Sequence, residues 1–227
     1  MINLIFDIDG TLVVSYGFDS QLYIQAVGEV VGDVYIHEDW GAYIDVTDLG
    51  ILSQILRENN VEASDRAFSA VRSRFSQLMQ NHLSKFPCIA KPGAIECVAN
   101  ALEEPNYTCG IATGGWGVTA KMKLESAGID ISGMPLFSCD QHLTRIGIMQ
   151  RCNNHLNGGS DVVYIGDGEW DRVASDKLNW GFVGIGERLS GVAEVWISDF
   201  NDPNWTMAPN KALERTRLRR WIERNES

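Results

Sequence analysis

The chain has 227 residues, of which 44% are hydrophobic and 22% charged, which is ordinary globular usage with enough apolar side chain for one core domain carrying, or lacking, a smaller insertion. A formal net charge of -11 excludes a general nucleic-acid binder, because phosphate backbones are held mainly by Lys and Arg. It leaves room for a small anion whose pocket includes a bound cation.

Five cysteines, Cys88, Cys97, Cys109, Cys139 and Cys152, are odd in number and never spaced as C-x-x-C, so they read as reduced, buried apolar residues and not as a disulfide or zinc framework. The first residues, M-I-N-L-I-F-D-I-D-G, carry no basic head and turn polar at Asp7. Neither a signal peptide nor a membrane span is expected, and the protein is expected in the cytoplasm.

In chain order, Asn3 to Ile8 predicts a buried strand that ends in a sharp loop at Gly10-Thr11. From Ser15 to Phe86 the apolar spacing turns helical. Ile51, Leu52, Ile55 and Leu56 form one face behind a capping Thr47-Asp48, and Ala67, Val71, Phe75, Leu78 and Met79 form another. Residues 15–86 are thus expected to be a small helical domain inserted into a core made of residues 1–14 and 87–227. The core resumes at the turn Lys91-Pro92-Gly93.

Beyond that turn, strands are expected at Tyr107 to Ala112, Val162 to Ile165, Phe182 to Ile185 and Val195 to Ile197. Helices are expected at Ala94 to Leu102, Val118 to Ala127, Arg145 to Leu156 and Trp170 to Leu178. Alternation of this kind predicts an α/β, Rossmann-like three-layer core around a parallel sheet, with ligands at the carboxyl ends of the strands. A basic helix from Lys211 to Arg224 reads as a solvated face.

Three strand ends carry the candidate chemistry. D-I-D-G-T places Asp7 and Asp9 two residues apart where the chain turns, a pattern also compatible with a simple capped turn. G-I-A-T-G-G-W offers a hydroxyl at Thr113 and two glycines whose amides suit phosphate oxygens, and it is equally compatible with a strand-to-helix turn. I-G-D-G-E-W-D supplies Asp167 and Asp171. If these acids converge, their mutual repulsion calls for a cation, and an all-oxygen set favours magnesium.

Other features carry less. No P-loop occurs, Gly184-Ile185-Gly186 lacks the rest of a dinucleotide fingerprint, and His37, His82, His142 and His155 show no metal spacing. Trp116 and Trp170 are open to strand-end packing, the commoner outcome, or to lining a substrate entrance. Asp45, Thr47 and Asp48 lie between two inserted helices, where Thr47 and Asp48 are equally well explained as a helix cap.

Together the motifs resemble the haloacid dehalogenase superfamily, across residues 1–14 and about 87–200. The resemblance implies that Asp7 is a nucleophile forming an aspartyl-phosphate, and that Asp9 acts as general acid and then base. It implies that Thr113 and the amide of Gly114 bind a phosphoryl oxygen. Lys123, chosen over Lys121 by its place in K-L-E-S-A-G-I, would neutralise charge on nucleophile and phosphate. Mg2+ would be held by Asp7, the carbonyl of Asp9 and Asp167, with Asp171 orienting metal-bound water or holding the lysine.

The insertion directly after the first motif is similar to the helical cap of phosphoglycolate phosphatases and beta-phosphoglucomutases, which closes over small substrates. The resemblance therefore implies hydrolysis of a small phosphorylated metabolite by a monomer or homodimer. A phosphomutase of the beta-phosphoglucomutase type is the nearest alternative. A noncatalytic module binding a phosphorylated ligand ranks below both, since binding alone needs no nucleophile beside an acid.

Overall fold

The computed structural model describes residues 1–225. Its central sheet has six strands: β1 (Ile2–Phe6), β4 (Tyr107–Ala112), β5 (Leu136–Phe137), β6 (Val162–Gly166), β7 (Gly181–Ile185) and β8 (Trp196–Ile197). They lie in the order β5-β4-β1-β6-β7-β8, every neighbouring pair parallel. The expected strands are all present. The addition is the edge strand β5, only two half-buried residues long and too short to show a period.

Alternate side chains of the central strands enter two different cores. Leu4, Phe6, Val163 and Ile165 pack with α4 (Ala94–Glu103), α5 (Gly117–Ser126) and α8 (Ala208–Asn225). Ile5, Val162 and Tyr164 pack on the other face with α6 (Arg145–His155) and α7 (Glu169–Leu178). Burial of both faces is why these strands read as unbroken apolar runs. The result is a three-layer α/β fold with its strand ends at one edge.

The chain leaves this core through β2 (Val13–Val14) and returns through β3 (Ile89–Ala90), which pair antiparallel. Between them stand α1 (Phe18–Val31), α2 (Asp48–Glu58) and α3 (Asp65–Leu83). Thr47 caps α2 by accepting from Gly50 N at 3.0 Å, and Ser64 caps α3 by accepting from Ala67 N at 3.3 Å. Ile51, Leu52, Ile55 and Leu56 of α2 and Val71, Phe75, Leu78 and Met79 of α3 are buried together. Because β2 and β3 adjoin, the helices hang over the edge of the sheet that carries the motifs. No helix among the described residues is long and apolar enough to cross a membrane.

Candidate active site

Phe6 lies opposite both Ile111 and Ile165, so the residues just beyond, Asp7, Thr113 and Asp167, emerge side by side from three adjacent strands. Asp7 is fixed by its own amide, which donates to Ile165 O at 2.9 Å, and its side chain is buried. The chain then reverses at Gly10, whose φ of +78° suits glycine, and a Cβ there would collide with the Asp167 carboxylate. Gly166 is equally constrained, its Cβ meeting Asp171 Oδ2 at 2.5 Å. These glycines let three carboxylates share one small space.

Asp7, Asp167 and Asp171 present oxygens within 4.8 Å of one another, all buried. Burial, then the charge of Asp171, pushes the Asp7 carboxyl well above its ordinary range, with Arg145 acting the other way. Burial and Asp171 likewise push Asp167 up to about 6. Arg145 Nη1 stands 2.7 Å from Asp171 Oδ1, yet that oxygen has no well-directed donor, so the contact is one of charge more than of hydrogen bonding. A buried, all-oxygen, under-compensated set of this kind fits a hard divalent cation.

Three cations serve the site. Arg145, first residue of α6, reaches Asp7 Oδ1 at 3.5 Å as well as Asp171, and donates to Val46 O at 3.0 Å. Tyr164, whose hydroxyl donates to Ala112 O at 2.6 Å, receives the guanidinium at 3.4 Å and steadies it. Lys123 is 1% exposed and donates to both oxygens of Asp9, at 2.6 Å each, and to Asp19 at 2.8 Å. Arg188, from the loop after β7, pairs with the Asp167 carboxylate and donates to Asp167 O at 2.9 Å, with the Tyr16 and Trp170 rings flanking it at 5.5 and 5.9 Å.

Two sequence expectations are corrected here. Lys123 does not face the nucleophile; the direction of α5 sends it beneath Asp9 and Asp19, and Arg145 supplies the cation beside Asp7. Of the two roles expected for Asp171, holding the lysine is not seen: it caps the start of α7 by accepting from Gly168 N at 3.0 Å and faces Arg145. Lys121, as expected, is exposed.

A cavity of about 180 Å³ opens between the strand ends and the inserted helices. Asp7, Asp9, Thr113, Gly114, Gly115, Arg145 and Asp167 line its floor, and Ser15, Asp19, Ser20, Trp40, Thr47 and Asp48 line the opposite wall. Thr113 is buried, and its Oγ1 accepts from Gly115 N at 3.2 Å. Besides the Lys123 bridge between Asp9 and Asp19, the wall is tied to the floor by Asp48 N to Gly114 O at 2.9 Å, Trp116 N to Asp48 Oδ2 at 2.8 Å, Thr47 Oγ1 to Leu143 O at 2.7 Å, and Arg145 to Val46 O. Trp116 itself is buried against Tyr23, so it packs a strand end, whereas Trp170 lines the cavity.

Sequence reasoning passed over Arg145, Arg188, Tyr16 and Asp19. One signal for Arg145 was present: it is a cation at the first position of a helix with no acid in its first turn, where the helix dipole disfavours positive charge. Arg188 had a weaker one, its place just past a parallel strand's carboxyl end.

A parallel sheet with convergent acids at its strand ends, under an inserted helical wall, defines an α/β protein whose chemistry centres on carboxylates. The chain belongs to the haloacid dehalogenase-like hydrolase family, whose model matches residues 4–174. Among curated proteins no relative matches at a significant level.

Solved structures share the fold. A hydrolase from Pseudomonas syringae is 22% identical with a TM-score of 0.66, over 89% of this chain and 95% of that one. CbbY from Rhodobacter sphaeroides, solved in complex with phosphate, is 14% identical with a TM-score of 0.68, over 87% and 94%. A predicted phosphoglycolate phosphatase from Haemophilus somnus is 15% identical with a TM-score of 0.59, over 87% and 93%. A dehalogenase is also similar, 18% identical with a TM-score of 0.55, over 92% and 97%.

Proposed function

We propose that this hydrolase is a magnesium-dependent phosphatase acting on a small phosphorylated metabolite through an aspartyl-phosphate on Asp7. One observation carries the choice between phosphatase and dehalogenase. Asp9, a second carboxylate two residues from Asp7, opens onto the same cavity and is gripped from behind by Lys123. A proton donor beside the nucleophile serves a leaving alcohol, whereas halide departure needs none.

In the first half-reaction an Asp7 oxygen attacks phosphorus as the bond to the alcohol oxygen breaks, and that oxygen takes a proton from Asp9. In the second, Asp9 takes a proton from water as the water oxygen attacks phosphorus. The bond to Asp7 breaks, and inorganic phosphate leaves. Arg145, Thr113 and the Gly114 amide would bind the phosphoryl oxygens. Magnesium, which Asp7, Asp167 and the backbone carbonyl of Asp9 would hold beside Asp171, supplies charge neutralisation and positioning when bound. The inserted helices would act as a cap that keeps bulk water from the phosphoenzyme.

The test is phosphate release from a panel of monoesters and acetyl phosphate, with and without magnesium, by the native protein and by Asp7→Asn. Magnesium-dependent release that Asp7→Asn abolishes is expected. A native protein that releases phosphate from no member, and on which no phosphoryl group can be trapped, would sink the reading.

A further inference from the structure

The floor of the cavity addresses the phosphate; the wall above it meets whatever the phosphate is attached to. That wall is built from residues 15–51, a stretch holding seven acidic residues and no lysine or arginine. Its one histidine, His37, is turned to Glu58 at 2.9 Å and does not line the cavity. Arg145 and Arg188, the two cations that do line it, rise from the floor, and each is already committed to buried carboxylates.

Acceptors, in contrast, are in surplus. Asp19 gives one carboxylate oxygen to Lys123, and Asp48 gives one to Trp116 N–H; the second oxygen of each has no hydrogen-bond partner among the described residues. Ser20 Oγ accepts from Trp40 Nε1 at 3.1 Å and keeps its proton for another group. A second phosphate or a carboxylate held here would meet Asp19, whose charge Lys123 answers from one side only, and Asp48, whose charge develops as pH rises through about 8, with no cation on the wall to receive it. A group carrying N–H or O–H donors would complete them.

Resting on the phosphatase reading, we propose that the substrate is a small phosphomonoester whose phosphate is its only anion. Its alcohol half presents hydroxyl or ammonium donors to Asp19 and Asp48. Esters bearing a carboxylate or a second phosphate are rejected by the wall.

The experiment compares esters of matched size on the full chain with magnesium: glycerol 3-phosphate for hydroxyl donors, O-phosphoethanolamine for an ammonium, and 2-phosphoglycolate and 3-phosphoglycerate for a carboxylate. Binding is read by calorimetry on Asp7→Asn, and kcat/KM on the native protein. The donor esters are expected to bind roughly tenfold or more tightly than the carboxylate esters, a modest share of the several kcal/mol that like charges in contact cost. Above about pH 8, where Asp48 is charged, Asp48→Asn should narrow that gap chiefly through KM, and the tighter of the two donor esters identifies the donor.

Carboxylate esters that bind as well as the donor esters overturn the proposal, as does no measurable binding of either donor ester. Failure of the phosphatase reading looks different. The order of binding would hold while acetyl phosphate, which makes no demand on the wall, yields no phosphate.

Discussion

Lys123 Nζ donates to both carboxylate oxygens of Asp9 at 2.6 Å, and to Asp19 at 2.8 Å, from a side chain that water scarcely reaches. Burial alone would lower the lysine's pKa, and Asp19 and Asp9 together outweigh it and push it up. One cation thus ties the first motif to the first inserted helix. Lys123→Met removes it and leaves two carboxylates facing each other. Both are about a quarter exposed, so the loss of stability should fall near the low end for breaking a buried pair, about 3 kcal/mol by urea unfolding. A loss under about 1 kcal/mol, the worth of a surface pair, would show that the contact does not hold the two parts together.

Arg145 makes a different demand, because its planar head meets Asp7, Asp171, Tyr164 and Val46 O at once. Arg145→Lys keeps the charge and loses that geometry. Activity should fall by roughly ten- to a hundredfold in kcat/KM, the scale of one or two lost charge-assisted hydrogen bonds, while the fold persists. Arg145→Ala should unfold earlier, since it leaves Asp171 buried without a counter-charge. If lysine served as well as arginine, the multi-point contact would have no catalytic value.

The three-layer core was legible because β1, β4, β6 and β7 are short, apolar and bracketed by turn residues, so their type and order follow from local pattern. Asp7, Asp9, Thr113 and Asp167 could be singled out as candidates because each closely follows such a strand, and Asp171 because it is a second acid just beyond one, in the first turn of α7. Partnerships were not legible. Arg145 and Asp7 are 138 residues apart, and only the register of β1 between β4 and β6 brings them together. Lys123 could be separated from Lys121 by helical phase, but phase does not say which carboxylate waits at the end of a side chain. Asp48 read equally well as part of a helix cap and Asp19 drew no reading; both face the cavity only because the insertion folds over the sheet.

Asp7, crowded by burial and Asp171, favours its protonated form in the fold. Its stabilising contribution is therefore complete below the unfolded value of about 3.9 and is lost as pH rises through the raised folded value. At neutral pH and without metal, Asp7→Asn should melt higher than the native protein. Each kcal/mol relieved is worth roughly 2–4 °C in a chain of this size. Magnesium should raise the native melting temperature more than the variant's, which keeps Asp167 and the carbonyl of Asp9 as ligands. The reverse order in fluorimetric melts would mean that Arg145 already neutralises the site.

Asp48 gives a pH signature in the wall. Burial, then the neighbouring charge of Asp19, pushes it up to about 8, against about 3.9 in an unfolded chain. Its contribution is again full below about pH 4 and is lost as pH rises through about 8. Asp48→Asn keeps an oxygen for Trp116 N–H but never ionises. Native and variant melting curves should coincide near pH 4 and separate toward pH 8, with the variant higher. A native protein whose melting temperature falls no faster than the variant's over that range would contradict the assignment.

Two adjacent glycines give the sharpest contrast. A Cβ on Gly114 would stand 2.6 Å from Arg145 Nη2 and 2.9 Å from Val46 O, whereas one on Gly115 would meet nothing closer than 3.6 Å. The arginine head is flexible in principle but is held by Asp7, Asp171 and Tyr164, and Val46 O belongs to backbone that the wall cannot move without loosening its other bonds to the floor. Gly114→Ala should therefore cost about 1–3 kcal/mol, the usual scale of overpacking, and raise KM as the wall is displaced. Gly115→Ala should leave the urea midpoint almost unmoved, since its contacts are ordinary van der Waals distances. Equal midpoints for the two variants would show that the wall rests on the floor less tightly than the bond between Arg145 and Val46 O requires.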